Sequence, residues 1–204
     1  MKINKTKFLY LISPNKINNL FYKDLIKVLK LRNVSFFQLR LKKENLKNKI
    51  KIGRKIKTIC SKYKVNFLVN DDPVLAQKIN ADGCHLGQND MDISDARKIL
   101  KNKIIGITCH NSLRLAKIAI KKKADYIAFG AFNSSKTKKV KYKAKVDLIK
   151  KLKKLGKIPI VAIGGINNLN YRKLLLNKAN FLAISSYIWK NKNLKPVQAI
   201  KKLK

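Results

Sequence analysis

Residues 66–90 read NFLVNDDPVLAQKINADGCHLGQND. Two short apolar runs, Asn66–Asn70 and Gly83–Leu86, bracket a segment with room for one helix. Neither run alternates between apolar and polar positions, which is what parallel strands covered on both faces require. The stretch therefore reads as one strand-helix-strand unit of a parallel sheet.

Outward from this stretch the same unit recurs. Phe8–Ser13, Phe36–Arg40, Ile104–Thr108, Tyr126–Phe129, Ile160–Ile163 and Phe181–Ile184 complete a set of eight candidate strands. The gaps carry apolar residues at helical spacing, as in Leu20, Leu25, Val28 and Leu29, or in Leu113, Leu115, Ala116, Ile118 and Ala119. Eight units in 204 residues predict an α/β chain folded as a single (β/α)8 TIM barrel over residues 1–204, near the lower size limit of that fold. A doubly wound sheet is the alternative. Against it, no GxGxxG follows the first strand and no GxxxxGK[ST] occurs. No Pro/Gly/Ser linker marks a domain boundary.

Composition bounds the function classes. An apolar fraction of 46% argues against disorder. The longest apolar runs, 8–12 and 158–166, fall far short of a membrane span. Ser13, Pro14 and Asn15 cut the first run too early for a signal-peptide core, which predicts a cytoplasmic protein without membrane contact. Cys60, Cys84 and Cys109 have no metal or disulfide spacing and read as reduced, buried thiols.

The charge is extreme: 49 Lys and Arg against 10 Asp and Glu, a net +39. Only six of the cations are Arg, and the lysines are spread along the chain. Nucleic-acid readers concentrate charge on one face and use Arg at base edges, so a compositional bias is the reading and no specific nucleic-acid partner is expected. The acids carry more information. Six of them, Asp71, Asp72, Asp82, Asp90, Asp92 and Asp95, fall in one short stretch. One reading of the cluster is helix starts and turns, which suits Asp92 and Asp95; the other is a hard-cation site where carboxylates hold Mg²⁺ against a phosphate.

In a barrel the active site stands at the C-terminal ends of the strands. There the sequence places Gln38, Leu39, Arg40, Leu41 and Lys42, then Asn70, Asp71 and Asp72, then His85 and Asp90. Thr108 and His110 follow the fifth strand; Ser135, Lys136, Thr137 and Lys138 the sixth; Gly164 and Gly165 the seventh; Ser185 and Ser186 the eighth. Cations, hydroxyls and small residues of this kind suit oxyanions. His85 reads as a hydrogen-bonded structural residue. Two aspartate stations, an Arg/Lys pair and Lys138 would make a diphosphate a good leaving group. No Ser-His-Asp or Cys-His arrangement is evident, so positioning and charge stabilisation would carry the reaction.

The segments QLRLK (38–42), LVNDDPVLAQKINADGCHLGQND (68–90), IIGITCHNS (104–112), ADYIAFGAFNSSKTK (124–138), IPIVAIGGIN (158–167) and FLAISS (181–186) resemble the thiamine-phosphate synthase family, in family order. The resemblance implies a Mg²⁺-dependent transferase that joins hydroxymethylpyrimidine diphosphate to thiazole phosphate, and it implies a homodimer. It further implies that Gln38, Leu39, Arg40, Leu41, Lys42, Asn70, Thr108 and Lys138 bind the pyrimidine diphosphate. Of these, Arg40, Lys42, Thr108 and Lys138 would be catalytic. Asp71 and Asp90 would hold Mg²⁺, and Ser135, Lys136, Thr137, Gly165, Ser185 and Ser186 would meet the thiazole phosphate. The chain departs from the family pattern at Asp72 (usually Arg), Leu41 (usually an acid), Ala131 (usually Pro), Ser135 (usually Thr) and Thr108 (usually Ser). Asp72 would add negative charge beside the metal station. Two alternatives stay open. One is the related thiazole tautomerase, with His110 as its acid/base; the other is a non-catalytic barrel that binds anions or nucleic acid.

Overall fold

The computed structural model describes residues 7–134 and 141–203. Eight strands and nine helices follow one another in these residues: β1 (Leu9–Ile12), α1 (Asn19–Leu29), β2 (Val34–Leu39), α2 (Leu46–Lys62), β3 (Asn66–Asn70), α3 (Pro73–Lys78), β4 (Gly83–Leu86), α4 (Ile93–Leu100), β5 (Ile104–Thr108), α5 (Leu113–Lys121), β6 (Tyr126–Phe129), α6 (Asp147–Leu155), β7 (Ile160–Ile163), α7 (Tyr171–Leu176), β8 (Phe181–Ile184), α8 (Ser186–Trp189) and α9 (Pro196–Lys201). Every strand pairs in parallel with its neighbours, and β8 returns to β1 to close the barrel. The expected fold is the observed one. Six of the eight expected strands have the same limits, while β1 is one residue shorter at each end, Leu9–Ile12, and β2 runs from Val34 to Leu39, two residues earlier at its start and one at its end.

Period-2 alternation divides the core in two. Tyr10 and Ile12, Phe36, Leu68, Tyr126 and Ala128, Val161, Phe181 and Ala183 form a small cluster inside the barrel. The residues between them in sequence, among them Leu9, Leu11, Phe37, Phe67, Val69, Cys84, Ile105 and Ile127, join the larger cluster between strands and helices. The same alternation puts Gln38, Asn70, His85 and Thr108 on the inward set at the C-terminal ends of β2 to β5. One glycine is demanded by this interior: a Cβ on Gly106 would lie 1.8 Å from the Tyr126 ring.

The helices start where the sequence supplies a cap. Asn18, Asn45, Asp72, Asp92 and Ser112 each accept a backbone N–H of the first turn that follows. The three cysteines are buried free thiols, as expected, and burial pushes Cys84 and Cys109 up to about 12, which keeps them protonated. No helix among the described residues is long and apolar enough to cross a membrane.

Candidate active site

The loops after β3 and β4 bring the two expected metal carboxylates together. Asp71 follows β3 directly, with φ of 66°, and its backbone N–H donates to the His85 carbonyl at 2.8 Å. That left-handed turn, unusual for a residue with a Cβ, sets the Asp71 carboxyl near enough to Asp90 for that acid to disfavour its ionisation. Asp90 is held from behind, its Oδ2 accepting the Gly87 N–H at 2.6 Å. Burial and then Asp90 push Asp71 up to about 6, against the pull of Lys42 and Arg40. Lys42 Nζ stands 3.8 Å from Asp71 Oδ2, beyond hydrogen-bond reach.

Two carboxyls close enough for one to disfavour the other's ionisation offer a pair of oxygen donors, a set that fits a hard divalent ion. Among the described residues no third His, Cys, Asp or Glu joins them. The remaining positions of such an ion would be filled by substrate oxygens and water.

The neighbouring stations are held by the barrel. Arg40 N–H donates to Ser13 Oγ at 2.9 Å, and its guanidinium reaches Asn15 Oδ1 at 3.3 Å. Leu39 and Leu41 turn their side chains into the core between strands and helices, which leaves only their backbone to a ligand. Gln38 is buried and donates from Nε2 to the Tyr10 hydroxyl at 2.7 Å. Thr108 meets His85 Nε2 at 2.8 Å, and His85 Nδ1 meets the Tyr126 hydroxyl at 2.8 Å. His85 is thus the hydrogen-bonded structural residue expected, and burial lowers it to about 4, so it is neutral. Burial raises the Tyr10 and Tyr126 phenols as well. The sequence reading missed both tyrosines as site-linked residues. Their place on the inward set, one residue into β1 and at the start of β6, is the signal that could have found them.

Asp72 corrects an expectation. Its Oδ1 accepts the Leu75 N–H at 2.8 Å and starts α3, so this acid serves a helix rather than the metal station. Asp82 also leaves the proposed cluster, because it precedes β4 and lies at the opposite end of the barrel. On the far side of the mouth, Gly164 and Gly165 have φ of 104° and 58°. The segment after β6 lies on them: Phe132 N–H donates to the Ile163 carbonyl and Asn133 N–H to that of Gly164, each at 3.1 Å. A Cβ on Gly165 would come within 2.2 Å of the Ser134 carbonyl oxygen. Ser135, Lys136, Thr137 and Lys138 lie outside the described residues. Ser185 Oγ faces the Ser13 carbonyl at 3.4 Å and Ser186 opens α8. His110 stacks its ring on Tyr142 at 4.3 Å.

The description "thiamine monophosphate synthase" belongs to the family model that matches residues 9–188. The chain belongs to the thiamine monophosphate synthase family. It is 67% identical over 204 residues to the thiamine-phosphate synthase of Pelagibacter ubique, covering all of this chain and 98% of the relative. It is 38% identical over 196 residues to that of Erythrobacter litoralis, covering 94% and 92%. Among solved structures, a thiamine phosphate pyrophosphorylase from Pyrococcus furiosus superposes with a TM-score of 0.85 at 30% identity, over 98% of this chain and 94% of that one. A 3-hexulose-6-phosphate synthase, with a TM-score of 0.66 at 15% identity, shares the fold alone. As a member of the thiamine monophosphate synthase family, the chain is a transferase of thiamine biosynthesis.

Proposed function

We propose that residues 1–204 form one enzymatic domain whose barrel mouth condenses hydroxymethylpyrimidine diphosphate with thiazole phosphate, giving thiamine phosphate and diphosphate. The observation that carries this reading is the Asp71–Asp90 pair, two carboxyls pressed together beside Lys42 and Arg40.

Asp71 and Asp90 would hold Mg²⁺, which when bound supplies positive charge to a diphosphate leaving group. Arg40 and Lys42 bind the same diphosphate, with Lys138, and take up the charge that develops as the bond from the pyrimidine methylene carbon to oxygen breaks. Gln38, Asn70 and Thr108 orient the pyrimidine half, with the backbone of Leu39 and Leu41 at its edge. Ser135, Lys136, Thr137, Gly165, Ser185 and Ser186 hold the thiazole phosphate so that the ring nitrogen faces the carbon that loses its diphosphate. The new carbon-nitrogen bond forms there, and no protein nucleophile takes part. The buried, protonated thiols agree with that role for the chain. The homodimer and the cytoplasmic location expected from the sequence belong to the same reading.

The test is incubation of the purified protein with both substrates and Mg²⁺, with and without a chelator. Thiamine phosphate should appear only with the metal. A folded protein that forms none overturns the reading, and conversion of a thiazole tautomer alone would favour the tautomerase relative instead.

A further inference from the structure

Four hydrogen bonds cross the inside of the barrel in an unbroken line. Gln38 Nε2 meets Tyr10 Oη at 2.7 Å, and Tyr10 Oη meets Tyr126 Oη at 2.9 Å. Tyr126 Oη meets His85 Nδ1 at 2.8 Å, and His85 Nε2 meets Thr108 Oγ1 at 2.8 Å. The line joins the ends of β2 and β5, two stations of the proposed pyrimidine diphosphate site. Tyr10 and Tyr126 are 1% and 0% exposed, so water cannot substitute for a missing partner along it.

We propose that this line is a one-way relay, in which Tyr10, Tyr126 and His85 act as positioning residues that turn the Thr108 hydroxyl into an obligate hydrogen-bond donor toward the barrel mouth. The direction of the line follows from the number of hydrogens each group carries. An amide nitrogen only donates, so Gln38 gives its hydrogen to Tyr10. Tyr10 must then give its own to Tyr126, and Tyr126 to His85 Nδ1. The His85 proton is thereby placed on Nε2 and points at Thr108 Oγ1. An imidazolium does not fit, since donors at both ends would leave two phenol hydrogens to share one oxygen-oxygen gap. Thr108 Oγ1 receives the last hydrogen, and its own hydrogen is free for the mouth.

The consequence is chemical. A hydroxyl left to rotate offers an anion either a hydrogen or a lone pair. A hydroxyl whose lone pair is already engaged offers its hydrogen, and it does so before the substrate arrives, which is what preorganised stabilisation of a departing oxyanion needs. This role rests on the function proposed above, whereas the hydrogen-bond direction does not.

The direction can be read from the His85 tautomer by two-bond ¹H–¹⁵N correlation on histidine-labelled, substrate-free protein. The chain has two histidines, and His110→Asn assigns the second. The relay requires a single neutral form with hydrogen on Nε2. A single form with hydrogen on Nδ1, or a mixture, overturns it. Gln38→Glu, whose carboxylate only accepts, should reverse the line and move the hydrogen to Nδ1. Tyr10→Phe keeps the ring packing and removes the source of direction, so it should leave a mixture of tautomers and lower kcat about tenfold without changing KM for thiazole phosphate. A Tyr10→Phe protein with the original tautomer and kcat would overturn the positioning role, since packing alone explains it. If the tautomer is as required but no thiamine phosphate forms, the relay stands and the proposed function fails.

Discussion

Asp82, immediately before β4, and Asp71, immediately after β3, stand at opposite ends of the barrel and are treated in opposite ways. Asp82 accepts the Phe67 N–H at 2.7 Å through one oxygen and Lys57 Nζ at 2.5 Å through the other. The pattern repeats around the base. Asp125, before β6, takes the Ile105 N–H and Arg97; Asn180, before β8, takes the Ile160 N–H and Lys153. Each of these side chains pins an amide in the first two residues of the strand behind it and is itself met by a basic residue on a helix. At the mouth the acids Asp71 and Asp90 face each other instead, and among the described residues the ammonium paired with Asp71, that of Lys42, stops at 3.8 Å. A chain with +39 of net charge could have neutralised this pair. Among the described residues it meets the pair only with Lys42 and the more distant Arg40, which separates a site open to a cation from a joint already made.

The largest effect should come from removing the charge at the mouth. Asp71→Asn should lower kcat on the order of 10³-fold, the several kcal/mol a neutralising metal contributes. The melting temperature of the metal-free protein should stay level or rise, because Asn suits the left-handed turn and relieves the carboxyl pair. If melting falls steeply instead, the contrast between the two ends is lost. Asp82→Ala should do the reverse, costing about 2 kcal/mol in denaturant unfolding through an orphaned buried N–H and an unpaired lysine, with kcat unchanged.

The pair also sets a pH signature. A carboxyl raised to about 6 in the fold against the ordinary value of 3.8 opposes folding when ionised, so lowering the pH through 6 toward 4 relieves the cost. Melting in chelator should therefore be higher at about pH 5 than this group allows at about pH 7.5, and saturating Mg²⁺ should erase its share of the difference. Asp72→Ala makes the smallest change, about 1 kcal/mol for a lost helix cap. KM for the pyrimidine diphosphate should not move; if it does, Asp72 belongs to the mouth after all.

These particulars show what the sequence could convey. Strand and helix periodicity, strand ends and the family segments were legible because each depends on neighbours in the chain. Asp71 and Asp90 were legible as strand-end residues. Asp82 was grouped with them by proximity in sequence, although its position just before a strand, rather than just after one, already assigns it to the base. Asp72 was misread because the usual arginine drew attention to the mouth, while Pro73 behind it signalled a helix start. The Tyr10 to Thr108 line was not legible, since its members lie up to 116 residues apart and meet only when the barrel closes.

The base of the ring holds one further lesson. Three strand pairs, β3 with β4, β5 with β6 and β7 with β8, are riveted by a side chain and a cation. Among the described residues the β1–β2 pair has no such rivet, only the Ser35 hydroxyl donating to the Lys7 carbonyl at 2.6 Å. At the corresponding place before β2 stands Asn33, whose side-chain oxygen is buried without a partner among the described residues. The first amide of β1 relies on the Asn33 main-chain carbonyl at 3.3 Å alone. Of the four pairs that begin at an odd-numbered strand, β1–β2 is thus the one held, among the described residues, without a carboxylate or amide bridging to a cation. Breathing of the barrel, followed by amide exchange, should begin at β1 and β2 and leave the aspartate-bearing half closed.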